Sequence, residues 1–155
     1  AAVIVCSDSV STGAKTDRSG KIIIEKMKAY PVEITSYDIV PDEKSAIESK
    51  FNELIDAGNN LLIFTGGTGL SPRDITPDTI APLLDREVPG IMEAARKYGQ
   101  DRTPYAMLSR GVCGVKDKTL VLAVPGSSKG AAETIDALFP ALLHSFKALE
   151  VEFKH

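Results

Sequence analysis

A chain of 155 residues, 43% hydrophobic and 25% charged, is long enough for one core of ordinary size and reads as a single domain over residues 1–155. A formal net charge of −3, with no stretch that concentrates Lys and Arg on one face, argues against a nucleic-acid binder, and no apolar run approaches a membrane span. The two cysteines, Cys6 and Cys113, are far apart, in apolar surroundings and without C-x-x-C spacing; they read as buried free thiols of a reducing compartment. His144 falls in a helical pattern and His155 is the last residue, so neither suggests a metal site. No signal-peptide pattern is present and the expected location is the cytoplasm. The chain opens directly on a strand and without Met, which fits a longer parent trimmed upstream.

In chain order, Ala2-Val3-Ile4-Val5-Cys6 is an unbroken apolar run, the pattern of a central strand covered on both faces. A long polar segment, Ser7 to Gly20, follows as a loop. Asp8 at its start reads equally as turn chemistry or as part of a site. The spacing of Ile23, Met27 and Tyr30 predicts a helix stopped by Pro31, and Val32 to Val40 alternates into a second strand. Pro41-Asp42-Glu43 then opens a helix with its apolar stripe at Ile47, Phe51, Leu54 and Ile55, closed by Gly58. On local grounds Asp42 reads first as that helix's N-cap.

Asn60 to Phe64 is a buried strand, and Thr65-Gly66-Gly67-Thr68-Gly69 turns out of it toward a helix with Thr76 as N-cap and Pro77 as first residue. Glycines at such a junction let backbone N–H groups approach a phosphate, while Arg73 and Asp74 add a cation for phosphate oxygens and a carboxylate for a metal. A tight turn with a surface ion pair is the plainer alternative. Ile80, Leu83 and Leu84 mark a short helix broken by Arg86 to Gly90; Ile91, Ala94, Ala95 and Tyr98 mark another. Val112 to Val115 and Thr119 to Val124 flank Lys116-Asp117-Lys118, which reads as a hairpin or a short return. Pro125-Gly126-Ser127-Ser128-Lys129-Gly130 opens a C-terminal helical stretch that Pro140 bends or splits.

The order β-α-β-α-β-α-α-β-β-α predicts an α/β three-layer sandwich with a mostly parallel central sheet. The strand ends at Ser7-Asp8, Pro41-Asp42, the glycine loop and Pro125-Gly126-Ser127 then share one edge, where a crevice collects Asp8, Asp42, Arg73 and Asp74. Carboxylates beside phosphate-binding amides make sense with a divalent cation between them, which points to Mg²⁺ and a nucleotide or phosphorylated metabolite.

Thr65-Gly66-Gly67-Thr68-Gly69, Arg73-Asp74-Ile75-Thr76-Pro77 and Asp85-Arg86-Glu87-Val88-Pro89-Gly90 closely resemble the molybdopterin adenylyltransferases of the MogA/MoaB type and the gephyrin G domain. The likeness extends to Ser7-Asp8, Asp17-Arg18-Ser19-Gly20, Val40-Pro41-Asp42-Glu43, Leu108-Ser109-Arg110 and Val124-Pro125-Gly126-Ser127, in order along the whole chain. The resemblance implies Mg²⁺-dependent adenylylation of molybdopterin by ATP with release of pyrophosphate, a three-layer α/β homotrimer, and hand-over of the product to a molybdenum insertase. It places the two critical carboxylates, also the metal ligands, on Asp42 and Asp74, which overrides the capping reading of Asp42. Substrate binding then falls to Ser7, Asp8, Thr65 to Gly69, Arg73, Ser109, Arg110, Pro125, Gly126 and Ser127. The Pro-Gly-Ser-Ser-Lys turn resembles the MoaB side of the family. A non-catalytic molybdopterin-binding or scaffold domain, and a nucleotide pyrophosphatase on the same fold, are the alternatives.

Overall fold

The computed structural model describes residues 1–151, with side chains through residue 149; His155 lies outside the described residues. The apolar run Ala2–Cys6 is β1, buried along its whole length. Parallel partners lie on both sides of it: β2 (Ser36–Val40) and β3 (Leu61–Thr65). Next to β3 comes β6 (Thr119–Val124), again parallel, and then β5 (Cys113–Lys116) and β4 (Arg86–Glu87), both antiparallel. The order β2-β1-β3-β6-β5-β4 makes one six-stranded sheet.

Alternation along the strands sorts the core into two layers. Val3, Leu61, Ile63, Leu120, Leu122 and Val124 pack with Ile23 and Met27 of α2 (Ser19–Met27), Met92 and Ala95 of α5 (Pro89–Gln100), and Ala131 and Ile135 of α6 (Ser128–Leu138). The opposite faces of the same strands, through Ala2, Ile4, Leu62, Phe64, Val121 and Ala123, pack with Ile47, Phe51 and Leu54 of α3 (Lys44–Asp56) and Ile80 of α4 (Thr76–Ile80). Helices on both faces of a mostly parallel sheet are the expected three-layer α/β sandwich.

Several local expectations shift. The segment from Ser7 to Gly20 is not structureless: Ser7 accepts a hydrogen bond from the Val10 N–H and caps a one-turn helix, α1 (Asp8–Ser11), and α2 already begins at Ser19. The second strand covers only the last part of the alternating run, from Ser36, because Glu33 and Thr35 instead bond the first residue, Ala1. Helix α2 stops at Met27; Tyr30 lies beyond it and packs its ring 5.3 Å from Phe139. Arg86-Glu87, read as a helix break, pairs with Val115 and Gly114 as the edge strand. On α5 the buried positions are Met92, Ala95 and Gly99 while Ala94 faces out, a rotation of the face that Ile91 and Tyr98 flank. Pro140 does split the C-terminal stretch: α6 ends at Leu138, a short 3-10 turn spans Ala141–His144, and α7 is Ser145–Val151. Among the described residues no helix is long and apolar enough to cross a membrane.

Candidate active site at the sheet edge

Because β1, β2, β3 and β6 run parallel, their C-terminal ends open on one edge. The glycine loop leaves β3 there. Gly66 and Gly67 both have left-handed backbone, φ 109° and 66°, and a Cβ on Gly66 would lie 2.3 Å from the Cys6 carbonyl oxygen. Gly126, after β6, approaches so closely that its Cβ would stand 2.8 Å from Gly66 Cα. Two of these glycines are therefore required by the crowding of three strand ends, not only by a ligand. The Thr65 hydroxyl donates to Pro125 O at 2.8 Å and ties the same ends together. Beyond this crowded point the backbone N–H groups of Gly67, Thr68 and Gly69 have no protein acceptor among the described residues.

On the α3/α4 side of the loop the acidic residues gather. Asp8 and Asp42 exchange reciprocal bonds between the ends of β1 and β2: the Asp8 N–H donates to Asp42 Oδ2 at 3.0 Å and the Asp42 N–H to Asp8 Oδ1 at 2.9 Å. Asp42 is thus not a helix cap. Glu43 occupies the N-cap position of α3 and makes no side-chain cap bond. Likewise Ile75, not Thr76, stands at the N-cap position of α4, with Thr76 in its first turn.

The second oxygen of Asp42, Oδ1, is buried and accepts no hydrogen bond from the described residues, and the neighbouring Thr76 hydroxyl is likewise buried without a hydrogen-bond partner among them. A Cβ on Gly67 would meet both, at 3.2 Å and 2.3 Å respectively. Burial raises the Asp42 carboxyl above its usual range and the charges of Asp8 and Asp74 add to the rise, against the hydrogen bond from the Asp8 N–H and the Arg73 charge, which lower it. Beneath them the Cys6 thiol is pushed up to about 12, mainly by burial, so it carries no thiolate chemistry.

Arg73 grips Asp8 with two parallel bonds, Nε to Oδ2 at 2.9 Å and Nη2 to Oδ1 at 3.0 Å. The Asp42 N–H and this guanidinium together lower the Asp8 carboxyl. Asp74 caps its own loop, its Oδ2 accepting from the Ser71 N–H at 3.0 Å. Arg110 holds that loop from behind: Nε donates to Gly69 O at 2.9 Å, Nη2 to Asp74 O at 2.6 Å and Nη1 to both Asp78 oxygens at 3.0 Å. Its backbone N–H donates to Thr68 O. Its guanidinium is engaged with the protein, so the geometry gives it a positioning part rather than a free phosphate contact.

The remaining residues singled out in the sequence divide between two cavities. Ser7, Thr65, Gly66 and Gly126 line a cleft of about 590 Å³ on the α2/α6 side. Ser109, Pro125 and Ser127 border a separate, more apolar hollow of about 400 Å³ against α5 and α6. Ser127 spends its hydroxyl on capping α6, accepting from the Gly130 N–H at 3.1 Å, and the Ser109 hydroxyl lies 3.4 Å from that of Thr68. Sequence reasoning did not single out Thr76, Tyr37, Lys15, Arg18 or Ser19 for this edge. The Asp17-Arg18-Ser19-Gly20 run carried the only available signal, a cation beside Ser-Gly at a helix start.

The family described as "Probable molybdopterin binding domain" matches residues 2–144. The chain belongs to that family. Within it, the domain is 37% identical over 144 residues to a protein of Helicobacter pylori (strain J99) named molybdopterin adenylyltransferase, covering 90% of this chain and 81% of that one. It is 38% identical to the molybdenum cofactor biosynthesis bifunctional protein of Chlorobaculum tepidum, and 40% identical to Dictyostelium discoideum gephyrin. The chain spans 48% and 21% of the length of those two relatives. Among solved structures it superposes on MoaB of Thermus thermophilus with a TM-score of 0.91 at 42% identity, covering 96% of this chain and 94% of that one.

Proposed function

We propose that this domain catalyses transfer of the adenylyl group of ATP to the phosphate of molybdopterin, giving adenylyl-molybdopterin and pyrophosphate as a step of molybdenum cofactor biosynthesis. The observation that carries the reading is Asp42 Oδ1, a buried carboxylate oxygen with no donor among the described residues, beneath the glycine loop and electrostatically coupled to Asp74. A buried carboxylate oxygen left without a donor is costly unless a ligand completes it. The curated relative named molybdopterin adenylyltransferase supports the choice of reaction.

The chemistry needs little from protein acids and bases. An oxygen of the molybdopterin phosphate, already anionic at neutral pH, forms a bond to the α-phosphorus of ATP. The bond from that phosphorus to the bridging oxygen breaks, and its electron pair leaves with pyrophosphate. No proton has to be removed, so positioning and charge stabilisation account for the rate. The free N–H groups of Gly67, Thr68 and Gly69 can donate to phosphate oxygens. Asp8 orients Arg73, and Arg110 fixes the backbone that carries Asp74.

Asp42 and Asp74 are the residues that would hold a Mg²⁺ ion. Among the described residues no group of three or more His, Cys, Asp or Glu is placed to hold a metal by itself. Two carboxylates fit Mg²⁺, which ordinarily takes one or two from a protein and completes its shell with phosphate oxygens and water. When bound, the ion supplies positive charge against the polyphosphate. An assay of pyrophosphate release with ATP, Mg²⁺ and purified molybdopterin tests the reading. Release that requires molybdopterin upholds it. Molybdopterin binding without release would leave the non-catalytic binding domain, and hydrolysis of dinucleotides without molybdopterin would leave the pyrophosphatase.

We further propose a cytoplasmic homotrimer that passes its product to an insertase. Tyr105, Met107 and Leu108 are 72%, 67% and 47% exposed, apolar surface that a trimer contact would cover. Light scattering showing a stable monomer at micromolar concentration would remove the trimer. The bifunctional relative, about twice this chain's length, is an arrangement that a hand-over would exploit.

A further inference from the structure

Buried threonine hydroxyls in this domain are engaged. Thr65 donates to Pro125 O at 2.8 Å, Thr79 to Ile75 O at 2.9 Å, Thr119 to Asn59 O at 2.7 Å and Thr134 to Gly130 O at 2.8 Å, while the Thr68 hydroxyl lies 3.4 Å from that of Ser109. Thr76 is the exception among the described residues: it is 0% exposed and its hydroxyl makes no hydrogen bond. Its place in the chain explains why. It opens α4, so no preceding helical turn offers it a carbonyl of the kind that Thr79 finds in Ile75 O. Its N–H donates to Gly67 O at 3.1 Å, which ties the residue to the glycine loop. The Cys6 thiol lies beside the hydroxyl but outside hydrogen-bonding geometry. A buried hydroxyl without a partner destabilises the fold, and valine would fill the same space without that penalty.

The hydroxyl shares its surroundings with the carboxylate of Asp42. The place where Gly67 lacks a Cβ is bordered by Thr76 Oγ1 at 2.3 Å and Asp42 Oδ1 at 3.2 Å, so an unengaged donor and an unengaged acceptor meet at one buried point. Asp42 Oδ2 is already held by the Asp8 N–H at 3.0 Å. A carboxylate oxygen offers two lone-pair directions, and a cation takes only one of them. We propose that Thr76 is a positioning residue for Asp42: its hydroxyl donates to the remaining lone pair of Oδ1 and holds that oxygen in place for the cation. The inference rests on the reading that Asp42 and Asp74 hold Mg²⁺, and it adds the group that orients the inner carboxylate. Asp42 is then fixed at both oxygens, Oδ2 by the Asp8 N–H and Oδ1 by Thr76, the usual support of a ligating carboxylate. Thr76 follows Asp74 by two residues, in a segment that Arg110 holds through Asp74 O at 2.6 Å. One short stretch of backbone thus places the outer carboxylate and the donor for the inner one.

Calorimetry of ATP binding to the full chain, once with Mg²⁺ and once with EDTA, decides it, because the ratio of the two affinities isolates the gain due to the cation. Thr76→Val keeps the shape and loses the hydroxyl, whereas Thr76→Ser keeps the hydroxyl and loses the methyl group. Thr79→Val, which removes a bonded hydroxyl from the same helix, is the control. The Mg²⁺-dependent gain should fall about tenfold or more in Thr76→Val, as for loss of the group supporting a metal ligand, with affinity in EDTA unchanged. Thr76→Ser should keep most of the gain. Thermal melts should show the reverse order, Thr76→Val at or above the wild type and Thr76→Ser below it. Thr79→Val should lower the midpoint and leave the gain alone. A role in packing alone requires a normal gain in Thr76→Val and the larger defect in Thr76→Ser, and that result overturns the proposal. So does a Thr76→Val variant that melts well below the wild type or fails to fold, since the hydroxyl would then have a structural partner. A wild type whose ATP affinity does not respond to Mg²⁺ overturns the metal reading and this role together. If the Thr76 effect is found but molybdopterin elicits no pyrophosphate release, the adenylylation reading fails and the positioning of Asp42 stands.

Discussion

The two sides of the glycine loop differ in what they ask of the chain. On the α3/α4 side, carboxylates are brought together against their mutual repulsion and held by backbone N–H groups and Arg73. On the α2/α6 side, Lys15 and Arg18 line a cleft and have no ion-pair or hydrogen-bond partner among the described residues, and the one carboxylate lining it there, Asp17, accepts from the Gly20 N–H and the Tyr37 hydroxyl. The first side holds unfavourable charge that a cation would relieve; the second has charge to spare for an anion. Between them lies a hinge of glycines whose conformation is set by close contact with β1 and β6. The contrast teaches that substitutions in the loop should act mainly on folding, and those on its acidic flank mainly on chemistry.

The largest effect should come from the hinge. Gly66→Ala places a Cβ 2.3 Å from a main-chain oxygen that has no freedom to move, at φ 109°. A loss of about 3 kcal/mol or more in unfolding free energy is expected by denaturant titration. An unchanged midpoint would mean that the strand ends are not packed as described. Gly67→Ala, whose Cβ meets side-chain oxygens of Thr76 and Asp42, should destabilise less than Gly66→Ala.

The acidic flank gives the converse. Asp74→Asn and Asp42→Asn should each lower turnover roughly a hundredfold, about 3 kcal/mol of transition-state stabilisation, with little change in the melt. Steady-state kinetics at saturating ATP and Mg²⁺ reads this. Wild-type turnover in Asp42→Asn would reduce that residue to a link between β1 and β2.

A smaller change is expected behind the loop. Arg110→Lys keeps the charge but cannot make the forked contacts to Gly69 O, Asp74 O and Asp78. Stability should drop by about 1–2 kcal/mol and turnover should fall with it, because the Asp74 backbone loses its support. If turnover falls while the melting midpoint is unmoved, Arg110 touches substrate after all.

The smallest effect lies in pH dependence. The carboxyl of Asp42 is raised in the folded protein, so its contribution to stability is complete below the ordinary aspartate range and is lost as pH rises through the raised value. Asp8, lowered by the Asp42 N–H and Arg73, contributes in the opposite sense, above the ordinary aspartate range, and its contribution is lost on acidification. Asp42→Asn should therefore flatten the stability decline on the alkaline side of the aspartate range, and Asp8→Asn should remove part of the decline on the acid side. Thermal melts from pH 3 to about 7 would show the two variants diverging from the wild type in opposite directions.

The periodic part of the molecule was legible from its residues. Unbroken apolar runs at Ala2–Cys6 and from Leu120 to Val124 have only one cheap environment, the middle of a covered sheet, and the stripe Ile47, Phe51, Leu54 demands a helix on one face. Those patterns set the layers, and the layers set which strand ends share an edge. So Asp8, Asp42, Arg73 and Asp74 could be gathered in advance, and the motif series pointed to the family. What the residues could not show was the partner of each polar group. Asp42 before a helix looks locally like a cap; only the parallel register of β1 with β2 brings the Asp8 N–H to it instead. Tyr37 is a surface residue of an alternating strand and Asp17 reads as loop chemistry; only tertiary packing brings that hydroxyl and that carboxylate together. Burial of apolar periodicity is a local property summed along the chain, whereas hydrogen bonds between residues 20 or 34 positions apart exist only once the sheet has assembled.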